Sequence, residues 1–253
     1  MAILGVRTSN RYVWDVSNET GRLVLVTGGN RGIGLAIARA FQESGDRVVI
    51  THRSGIAPEG LDAVIMDVTD PSSVDRAFTD IETRFGGVEV LVANAGITKD
   101  GLALRMSEED FQAVIDTNLT GSFRVTQKVL SGMVKRRSGR VVFIGSVVAA
   151  LGSAGQVNYA ATKSALVGMA RSFAREYGSR GITFNVVAPG FVETDMTAVL
   201  EDSLREKYVA QIPLARFASA SEVADVVRFI ASPDAGYITG AVIPVDGGLG
   251  MGH

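Results

Sequence analysis

The stretch that decides the fold is Leu23-Val24-Leu25-Val26-Thr27-Gly28-Gly29-Asn30-Arg31-Gly32-Ile33-Gly34. Its apolar half is typical of a strand covered on both faces, and the glycines after it predict a tight turn that opens a helix. Free amides and a partial positive charge at such a helix start suit a pyrophosphate, although glycines also serve ordinary turns. In this strand-turn-helix context we predict a nucleotide site formed by Gly28, Asn30, Arg31, Gly32, Ile33 and Gly34.

The rest of the chain repeats this alternation of short apolar runs and longer amphipathic segments. We predict strands at Leu23–Thr27, Arg47–Thr51, Ala63–Asp67, Val90–Asn94, Val141–Ser146, Thr183–Val187 and Ala241–Val245. We predict helices at Leu35–Ser44, Ser72–Phe85, Glu108–Lys135, Val157–Tyr177, Thr197–Ala210 and Glu222–Ala231. The alternation is typical of βαβ units. It predicts an α/β fold, a single Rossmann-type doubly wound domain over residues 21–253 with a seven-stranded parallel sheet flanked by helices. Residues 1–20 are expected to be a flexible N-terminal extension.

Composition disfavours several classes of function. Apolar residues make up 46% of the 253-residue chain, charged residues 21%, and the formal net charge is -2, so no strong field draws the chain to nucleic acid or membrane. Cysteine is absent, which removes thiolate chemistry, and we predict no metal site. His52 and His253 are the two histidines, which disfavours a Ser-His-Asp hydrolase. We find no apolar run of membrane or signal-peptide length and expect a cytoplasmic protein.

Small and polar residues follow the predicted strands, at the edge where open α/β sheets bind their ligands. Besides the glycine stretch, the predicted cofactor contacts at these strand ends are Arg53, Asp67, Val68, Asn94, Ala95 and Gly96. Asp67 and Val68 are placed to contact an adenine edge, or Asp67 alternatively caps the helix that begins near Pro71.

The end of the second strand indicates which dinucleotide binds. An NAD enzyme usually carries an acidic residue there for the ribose 2′-hydroxyl, but this chain has Thr51-His52-Arg53. An arginine suits a 2′-phosphate, and Arg31 in the glycine stretch offers a second cation. We therefore predict NADP(H) rather than NAD(H); the alternative is that Arg53 is only a solvated loop charge.

A tyrosine and a lysine stand four residues apart in Tyr159-Ala160-Ala161-Thr162-Lys163, within a predicted helix. This spacing puts both side chains on one face, so the Lys163 ammonium can approach the Tyr159 phenol. A nearby cation favours the phenolate and is expected to lower the tyrosine pKa from about 10 toward working pH. By itself the pair is weak, because packing tyrosines and solvated lysines often share a helix face.

Together these residues resemble the short-chain dehydrogenase/reductase family over residues 22–248. The resemblance is carried by Thr27-Gly28, Gly32-x-Gly34, Asn94-Ala95-Gly96, Asn118, Ser146, Tyr159-x-x-x-Lys163 and Pro189-Gly190. Within it, four passages are similar to the 3-oxoacyl-(acyl-carrier-protein) reductases: Gly96–Met106, Ile144–Val147, Val186–Thr197 and Tyr237–Gly240. Thr51–Phe78 and Leu249–His253 are more similar to the long-chain reductases of mycolic acid synthesis.

The resemblance implies a catalytic set of Asn118, Ser146, Tyr159 and Lys163. Ser146 would bind the substrate carbonyl and Tyr159 would protonate it, while Lys163 would lower the tyrosine pKa and bind the nicotinamide ribose. Asn118 would hold a water that connects the lysine to solvent. Alternatively, Ser146 is a turn residue and Asn118 a polar position in a long helix, although a buried helical asparagine is unfavourable without partners.

The resemblance also implies that the nicotinamide is bordered by Pro189, Gly190, Val192 and Thr194. Pro189-Gly190 alternatively only starts a loop. Residues 191–217 would form a lid in which four apolar residues either contact an acyl chain or pack on one another: Phe191, Met196, Leu200 and Ile212.

A basic run at the end of the long helix predicted over Glu108–Lys135, Lys135-Arg136-Arg137, suits the negative end of the helix dipole. By resemblance, Arg137 and Arg180 would dock acyl carrier protein, and the chain would form a homotetramer. We expect NADPH-dependent reduction of a 3-oxoacyl thioester on that carrier, in type II fatty acid synthesis. The alternatives are a reductase of another ketone (a polyketide, acetoacetyl-CoA or a small carbonyl compound) and a non-catalytic NADP sensor.

Overall fold

The computed structural model describes residues 21–53, 55–194, 197 and 201–251. They form an α/β domain with one seven-stranded parallel sheet, which confirms the fold class expected from the sequence. The proposed extension over residues 1–20 lies outside the described residues, as do the lid residues Met196 and Leu200.

All seven strands run parallel, in the order β3-β2-β1-β4-β5-β6-β7. Their bounds are β1 Leu23–Thr27, β2 Arg47–His52, β3 Asp62–Ile65, β4 Val90–Ala93, β5 Gly139–Ile144, β6 Ile182–Pro189 and β7 Val242–Val245. The order reverses between β1 and β4, so a crevice opens there outside the carboxyl ends of the strands. The glycine stretch begins at that point, directly after β1.

The main helices are α1 Gly32–Glu43, α2 Pro71–Phe85, α3 Glu108–Ile115, α4 Gly121–Arg136, α5 Val148–Leu151, α6 Val157–Tyr177, α7 Asp202–Val209 and α8 Ala220–Ile230. Short 3₁₀ turns lie at Ala103–Arg105, Gly178–Arg180 and Pro233–Ala235. Buried side chains of α2, α4 and α6 form the core on one face of the sheet, and those of α1 and α8 form the core on the other. Both faces are therefore covered, as the continuous apolar strands require.

The predicted elements are confirmed with shifted ends. The third and fifth strands end earlier than expected, so Asp67 and Ser146 stand in turns beyond β3 and β5. The glycine stretch supplies the first turn of α1, which therefore begins at Gly32 rather than Leu35. Of the helix expected over 197–210, α7 covers Asp202–Val209, and the residues just before it lie outside the described part.

The long helix expected over 108–135 is not one regular helix. Residues Asp116–Thr120 between α3 and α4 are π-helical. Single π turns inside α-helices occur frequently at functional sites, and this one contains Asn118. In the described part of the chain, no helix combines the length and apolar character that crossing a membrane demands.

Candidate active site

The glycine stretch is fixed to the loop after β4 by reciprocal hydrogen bonds. Thr27 Oγ1 accepts from the backbone N–H groups of Asn94 and Ala95, each at 3.0 Å. The Asn94 side chain donates back to the carbonyl oxygens of Thr27 and Gly28, at 2.9 and 3.0 Å. A Cβ on Gly34 would stand 2.4 Å from Gly28 O and 2.5 Å from Asn94 Nδ2, so this position requires glycine. The side chain of Asn94, which was predicted as a cofactor contact, therefore holds the glycine stretch in place.

The start of α1 presents unused donors, as an anion site requires. Its N-cap, Arg31, makes no side-chain cap, and the first turn holds no acidic residue. The backbone N–H groups of Gly32, Ile33 and Gly34 have no hydrogen-bond partner among the described residues. A Cβ on Gly32, where φ is +53°, would meet only Thr194 Cγ2, at 3.8 Å, so space remains above the loop. This geometry fits a pyrophosphate bound at the helix N-terminus.

Cations and an unpartnered imidazole lie at the neighbouring end of β2. Arg31 and Arg53 are exposed, and neither forms an ion pair with another described residue. His52 is buried, and its Nδ1 has no hydrogen-bond partner within the described part of the chain. Two free guanidiniums and an orphaned buried nitrogen fit an anionic group beside the ribose.

The turn after β3 distinguishes the two predicted roles of Asp67, which are an adenine contact and a cap on α2. Asp67 Oδ1 accepts from Thr69 N at 2.9 Å and Thr69 Oγ1 at 2.7 Å, and the pKa of this carboxyl lies below its ordinary value. Burial opposes that shift, while the Thr69 hydrogen bonds and the Arg53 charge produce it. The alternative in which Asp67 caps α2 is wrong, because Asp70 is the N-cap and accepts from Ser72 N.

Asp67 and Val68 present an unpaired hydrogen-bond acceptor and an unpaired donor at adjacent positions, as far as the described residues show. The Val68 side chain is buried, and its carbonyl accepts from Arg124 Nη1 at 3.0 Å. Asp67 Oδ2 and Val68 N–H have no partner among the described residues. An acceptor beside a donor matches the amino donor and ring-nitrogen acceptor of adenine.

Ser146, Tyr159 and Lys163 come together although Ser146 follows β5 and the other two residues belong to α6. Ser146 follows β5, and its hydroxyl lies near enough to the phenol of Tyr159, close to the start of α6, to lower the pKa of that phenol. One turn further along α6, the buried Lys163 places its Nζ 5.4 Å from the centre of the tyrosine ring. The same Nζ donates to Ile144 O, the last carbonyl of β5, at 2.7 Å. The spacing of four residues thus brings the two side chains together as expected.

The pKa of Tyr159 is raised, which is opposite to the expectation from sequence. Burial raises the pKa of Tyr159 most, the nearby Ser146 hydroxyl opposes the rise, and the charge of Asp100 adds to it. Burial lowers the pKa of Lys163 from 10.5 to about 8. Both shifts have one physical cause, since a site with little water disfavours the charged form of each group.

Asn118 has the partners that a buried helical asparagine needs. Its Oδ1 accepts from Ile97 N at 2.9 Å, and its Nδ2 donates to Ile97 O at 3.0 Å and to Thr162 Oγ1 at 3.4 Å. A Cβ on Gly96 would stand 3.3 Å from Asn118 Oδ1, so the chain passes close to the amide. The side chain therefore holds the loop after β4, and the water that Asn118 is expected to bind stays a prediction.

The segment after β6 closes the far side of the crevice. Gly190 packs on the C-terminal strand region, since a Cβ there would stand 2.8 Å from Asp246 Cα. Val192 is buried, and Pro189 ends β6. Phe191 stacks on Tyr208 and Phe217 with ring centres 4.3 and 5.2 Å away. Ile212 is also buried, so both described lid candidates pack within the protein.

Sequence reasoning assigned no role in the site to four residues that shape it: Thr27, Asp100, Asn158 and Thr162. Asn158 is fully buried. Its position directly before Tyr159 is the sequence feature that could have indicated its role. Asp100 lies in the loop after β4, and its charge raises the pKa of Tyr159. No spacing in the sequence indicates that these two residues are close.

Fold and site together define a dinucleotide-dependent oxidoreductase. The chain belongs to the short-chain dehydrogenase/reductase family: the family model described as "Enoyl-(Acyl carrier protein) reductase" matches residues 28–250. Membership of this oxidoreductase family implies a nicotinamide cofactor, and the donors and cations at the crevice fit one.

Similar proteins of known name share most of their length with the chain. It is 55% identical to the 3-oxoacyl-(acyl-carrier-protein) reductase MabA of Mycobacterium avium, over 92% of this chain and 91% of that protein. It is 54% identical to MabA of Mycobacterium tuberculosis, over 92% and 94%. It is 45% identical to the 3-oxoacyl-(acyl-carrier-protein) reductase FabG of Escherichia coli, over 92% and 99%.

Proposed function

We propose that this enzyme reduces a 3-oxoacyl thioester on acyl carrier protein to the 3-hydroxyacyl form with NADPH, in fatty acid synthesis. The observation that carries the proposal is the proximity of the Ser146 and Tyr159 hydroxyls, at the edge of the sheet where the glycine stretch also lies. It occurs in a chain 54–55% identical to reductases named for this substrate.

The two hydroxyls would bind the ketone oxygen from one side of the crevice. As the carbonyl carbon is reduced, negative charge develops on that oxygen, and donors already in place stabilise it. Tyr159 then transfers its phenolic proton to the oxygen, which completes the hydroxyl group. When bound, the reduced nicotinamide supplies the hydride.

The raised pKa of Tyr159 suits this direction of reaction. A phenol that stays protonated at neutral pH carries the proton that reduction of the ketone requires. Lys163, with a pKa of about 8, changes charge just above neutrality and is hydrogen-bonded to the strand that precedes Ser146. We therefore assign Lys163 to tuning and orienting the tyrosine.

NADPH is proposed as the reductant because of the charges at the end of β2. Arg31 and Arg53 flank the position of the ribose and have no ion-pair partner among the described residues. The sequence there, Thr51-His52-Arg53, offers no carboxylate to a 2′-hydroxyl. A 2′-phosphate would pair with the guanidiniums, whereas NADH would leave them uncompensated.

Carrier docking through Arg137 and Arg180 is proposed together with assembly into a homotetramer. The two arginines lie close together, since Arg137 Nη2 donates to Ser179 O at 3.0 Å. They stand at the opposite end of α6 from Tyr159, about 30 Å away at 1.5 Å per helical residue. A carrier docked there would serve the site of a second copy.

Exposed apolar side chains offer the surfaces for such assembly. Phe123 on α4 is exposed and stacks on Phe173 of α6. A second apolar group lies around α8 and β7, where Phe229, Tyr237 and Val242 are exposed. Two separate faces suit two interfaces, as a tetramer with dihedral symmetry requires. The cytoplasmic location expected from the sequence stays a prediction.

The test compares a ketone with an alkene, because the family description names an enoyl reductase while the relatives are named 3-oxoacyl reductases. We would follow NADPH absorbance with acetoacetyl and crotonyl thioesters on carrier protein and on CoA, with NADH in parallel. We expect oxidation of NADPH with the acetoacetyl thioester, a 3-hydroxybutyryl product and slower oxidation of NADH. Activity on the crotonyl thioester alone would contradict the proposal.

Longer 3-oxoacyl thioesters would then define the preferred chain length. The rival functions give other outcomes in the same assay. Turnover of small ketones without turnover of thioesters would indicate another ketone reductase. Binding of NADPH without any turnover would indicate a sensor.

A further inference from the structure

The loop after β4 is bonded residue by residue to the segment that precedes Tyr159. Gly101 N donates to Gly155 O at 2.8 Å. Asp100 Oδ2 accepts from Gln156 Nε2 at 3.0 Å, and Lys99 O accepts from Asn158 Nδ2 at 2.9 Å. We call residues 99–101 with these three hydrogen bonds the latch.

Asn158 is the buried member of the latch and contacts both sides. Helix α6 begins at Val157, and its first N–H groups have no partner within the helix. Its N-cap residue supplies no side-chain cap for them. Asn158 Oδ1 accepts from the backbone N–H of Tyr159 at 2.7 Å. One amide group therefore caps the tyrosine backbone and donates to the loop at Lys99. Its side chain is fully buried, so water cannot replace either bond.

The same loop is held at its other end by Asn118. That side chain bonds both backbone groups of Ile97, two residues before Lys99. The loop thus connects the π-helical turn before α4 with the first turn of α6. A displacement at either asparagine would move the phenol relative to the Ser146 hydroxyl.

We propose that Asn158 is a positioning residue, which holds the Tyr159 phenol against Ser146 by closing the latch. This inference rests on the proposed function, in which Tyr159 donates the proton. It predicts that opening the latch lowers kcat beyond what an equal loss of stability elsewhere in the protein would cause. The reason is that proton transfer depends on sub-ångström placement of the Tyr159 phenol.

The latch also brings a charge to the phenol. The ionisable and hydroxyl groups that face Tyr159 come from three elements: Ser146 after β5, Lys163 on α6 and Asp100 in the loop. Asp100 opposes the phenolate, so a closed latch helps to keep the phenol protonated. Opening it should let Tyr159 ionise at lower pH.

The experiment compares Asn158→Ala with Asn185→Ala. Asn185 in β6 is equally buried and also bonds two backbone groups, Ile238 O at 2.8 Å and Ala241 N at 3.1 Å, away from the crevice. We would measure the melting temperature, the Kd for NADPH, and kcat and KM for acetoacetyl-CoA. We expect similar melting losses, but a kcat lower by roughly 10- to 100-fold in Asn158→Ala alone. Equal kcat losses, or an unchanged kcat in Asn158→Ala, would overturn the proposal.

A readout without turnover separates this proposal from the proposed function. Tyrosinate absorbance is titrated in each protein and in its Tyr159→Phe counterpart, and the difference reports Tyr159 alone. We expect its ionisation at lower pH in Asn158→Ala and in Asp100→Asn, and no change in Asn185→Ala. An unchanged titration in Asn158→Ala overturns the latch even if the wild type reduces no thioester.

Asn158→Asp serves if the alanine variant does not fold. Its carboxylate can still accept from Tyr159 N–H but cannot donate to Lys99 O. A kcat that is roughly 10- to 100-fold below that of the wild type supports the latch. A kcat equal to wild type would show that the cap on Tyr159 suffices and would overturn it.

Discussion

The Nζ atom of Lys163 lies 2.7 Å from the carbonyl oxygen of Ile144, deep in the protein and without a carboxylate partner among the described residues. The hydrogen bond joins α6 to the last residue of β5, two residues before Ser146. It also keeps an ammonium group where water is scarce, and the lowered pKa of about 8 reflects that burial.

The substitution Lys163→Met should therefore stabilise the fold while removing activity. The unfolded chain binds this proton with a pKa near 10.5 and the folded chain with a pKa near 8, so folding is penalised wherever the lysine is charged. Below pH 8 the penalty amounts to about 3 kcal/mol at 1.36 kcal/mol per pKa unit. It declines as pH rises from 8 to 10.5.

Urea unfolding at pH 7 and at pH 10 checks this. We expect the variant to exceed the wild type by up to about 3 kcal/mol at pH 7 and by less at pH 10. Lys128→Met, which removes an exposed lysine paired with Asp75, should show no such trend. A variant less stable than wild type at pH 7 would mean that the bond to Ile144 outweighs the burial of charge.

Tyr159→Phe should abolish reduction and spare the dinucleotide. Removing the hydroxyl deletes the proton donor and one of the two groups that bind the ketone oxygen, so we expect kcat to fall by roughly 10²- to 10⁴-fold. The Kd for NADPH, measured by fluorescence titration, should stay within a few fold. Tyr177→Phe, at the other end of α6, is the matched control. Retained turnover in Tyr159→Phe would refute the mechanism.

Arg31→Ala and Arg53→Ala should each weaken binding of NADPH but not of NADH. Hydrogen bonds to charged groups contribute about 1.5–3 kcal/mol, so we expect each Kd for NADPH to rise roughly tenfold or more. The loss should shrink at high salt, since the arginines are exposed. Arg84→Ala, which removes an exposed arginine paired with Asp80, should leave both affinities unchanged. Parallel losses for the two cofactors would assign the arginines to the pyrophosphate.

Thr27→Val should loosen the glycine stretch without touching its glycines. The substitution removes the oxygen that accepts from Asn94 N and Ala95 N, which leaves the Ala95 N–H without a partner. We expect a loss of about 1–3 kcal/mol in the free energy of unfolding and weaker binding of NADPH. Thr183→Val is the control, because Thr183 is also a buried threonine but its hydroxyl makes no hydrogen bond within the described residues. Equal stability of the two variants would contradict the role of Thr27.

Arg137→Glu with Arg180→Glu should affect only carrier-linked substrates. Rim charges mainly set association rates, so we expect kcat/KM for acetoacetyl carrier protein to fall at low salt and to recover as salt rises. The value for acetoacetyl-CoA should stay unchanged. If the two substrates lose activity equally, the arginines act on the fold and not on docking.

The sequence by itself determined the alternation of strands and helices and the edge where function lies. Parallel strands that are covered on both faces are apolar throughout. A short stretch of sequence is therefore enough to recognise β1, β4 and β6. Because parallel strands end at one edge, the glycine stretch, Asn94, Ser146 and Gly190 were predicted together without knowledge of a single contact. The spacing of Tyr159 and Lys163 worked equally well, since a helix fixes it locally.

Only the tertiary structure decided which atoms those residues use. Asn94 and Asn118 turned out to bind backbone groups of loops, Asp70 rather than Asp67 caps α2, and the pKa of Tyr159 is raised rather than lowered. Asn158 gained a role through a bond to Lys99, 59 residues away. Hydrogen-bond partners and burial depend on how distant segments meet in space, and no local pattern of residues encodes that meeting.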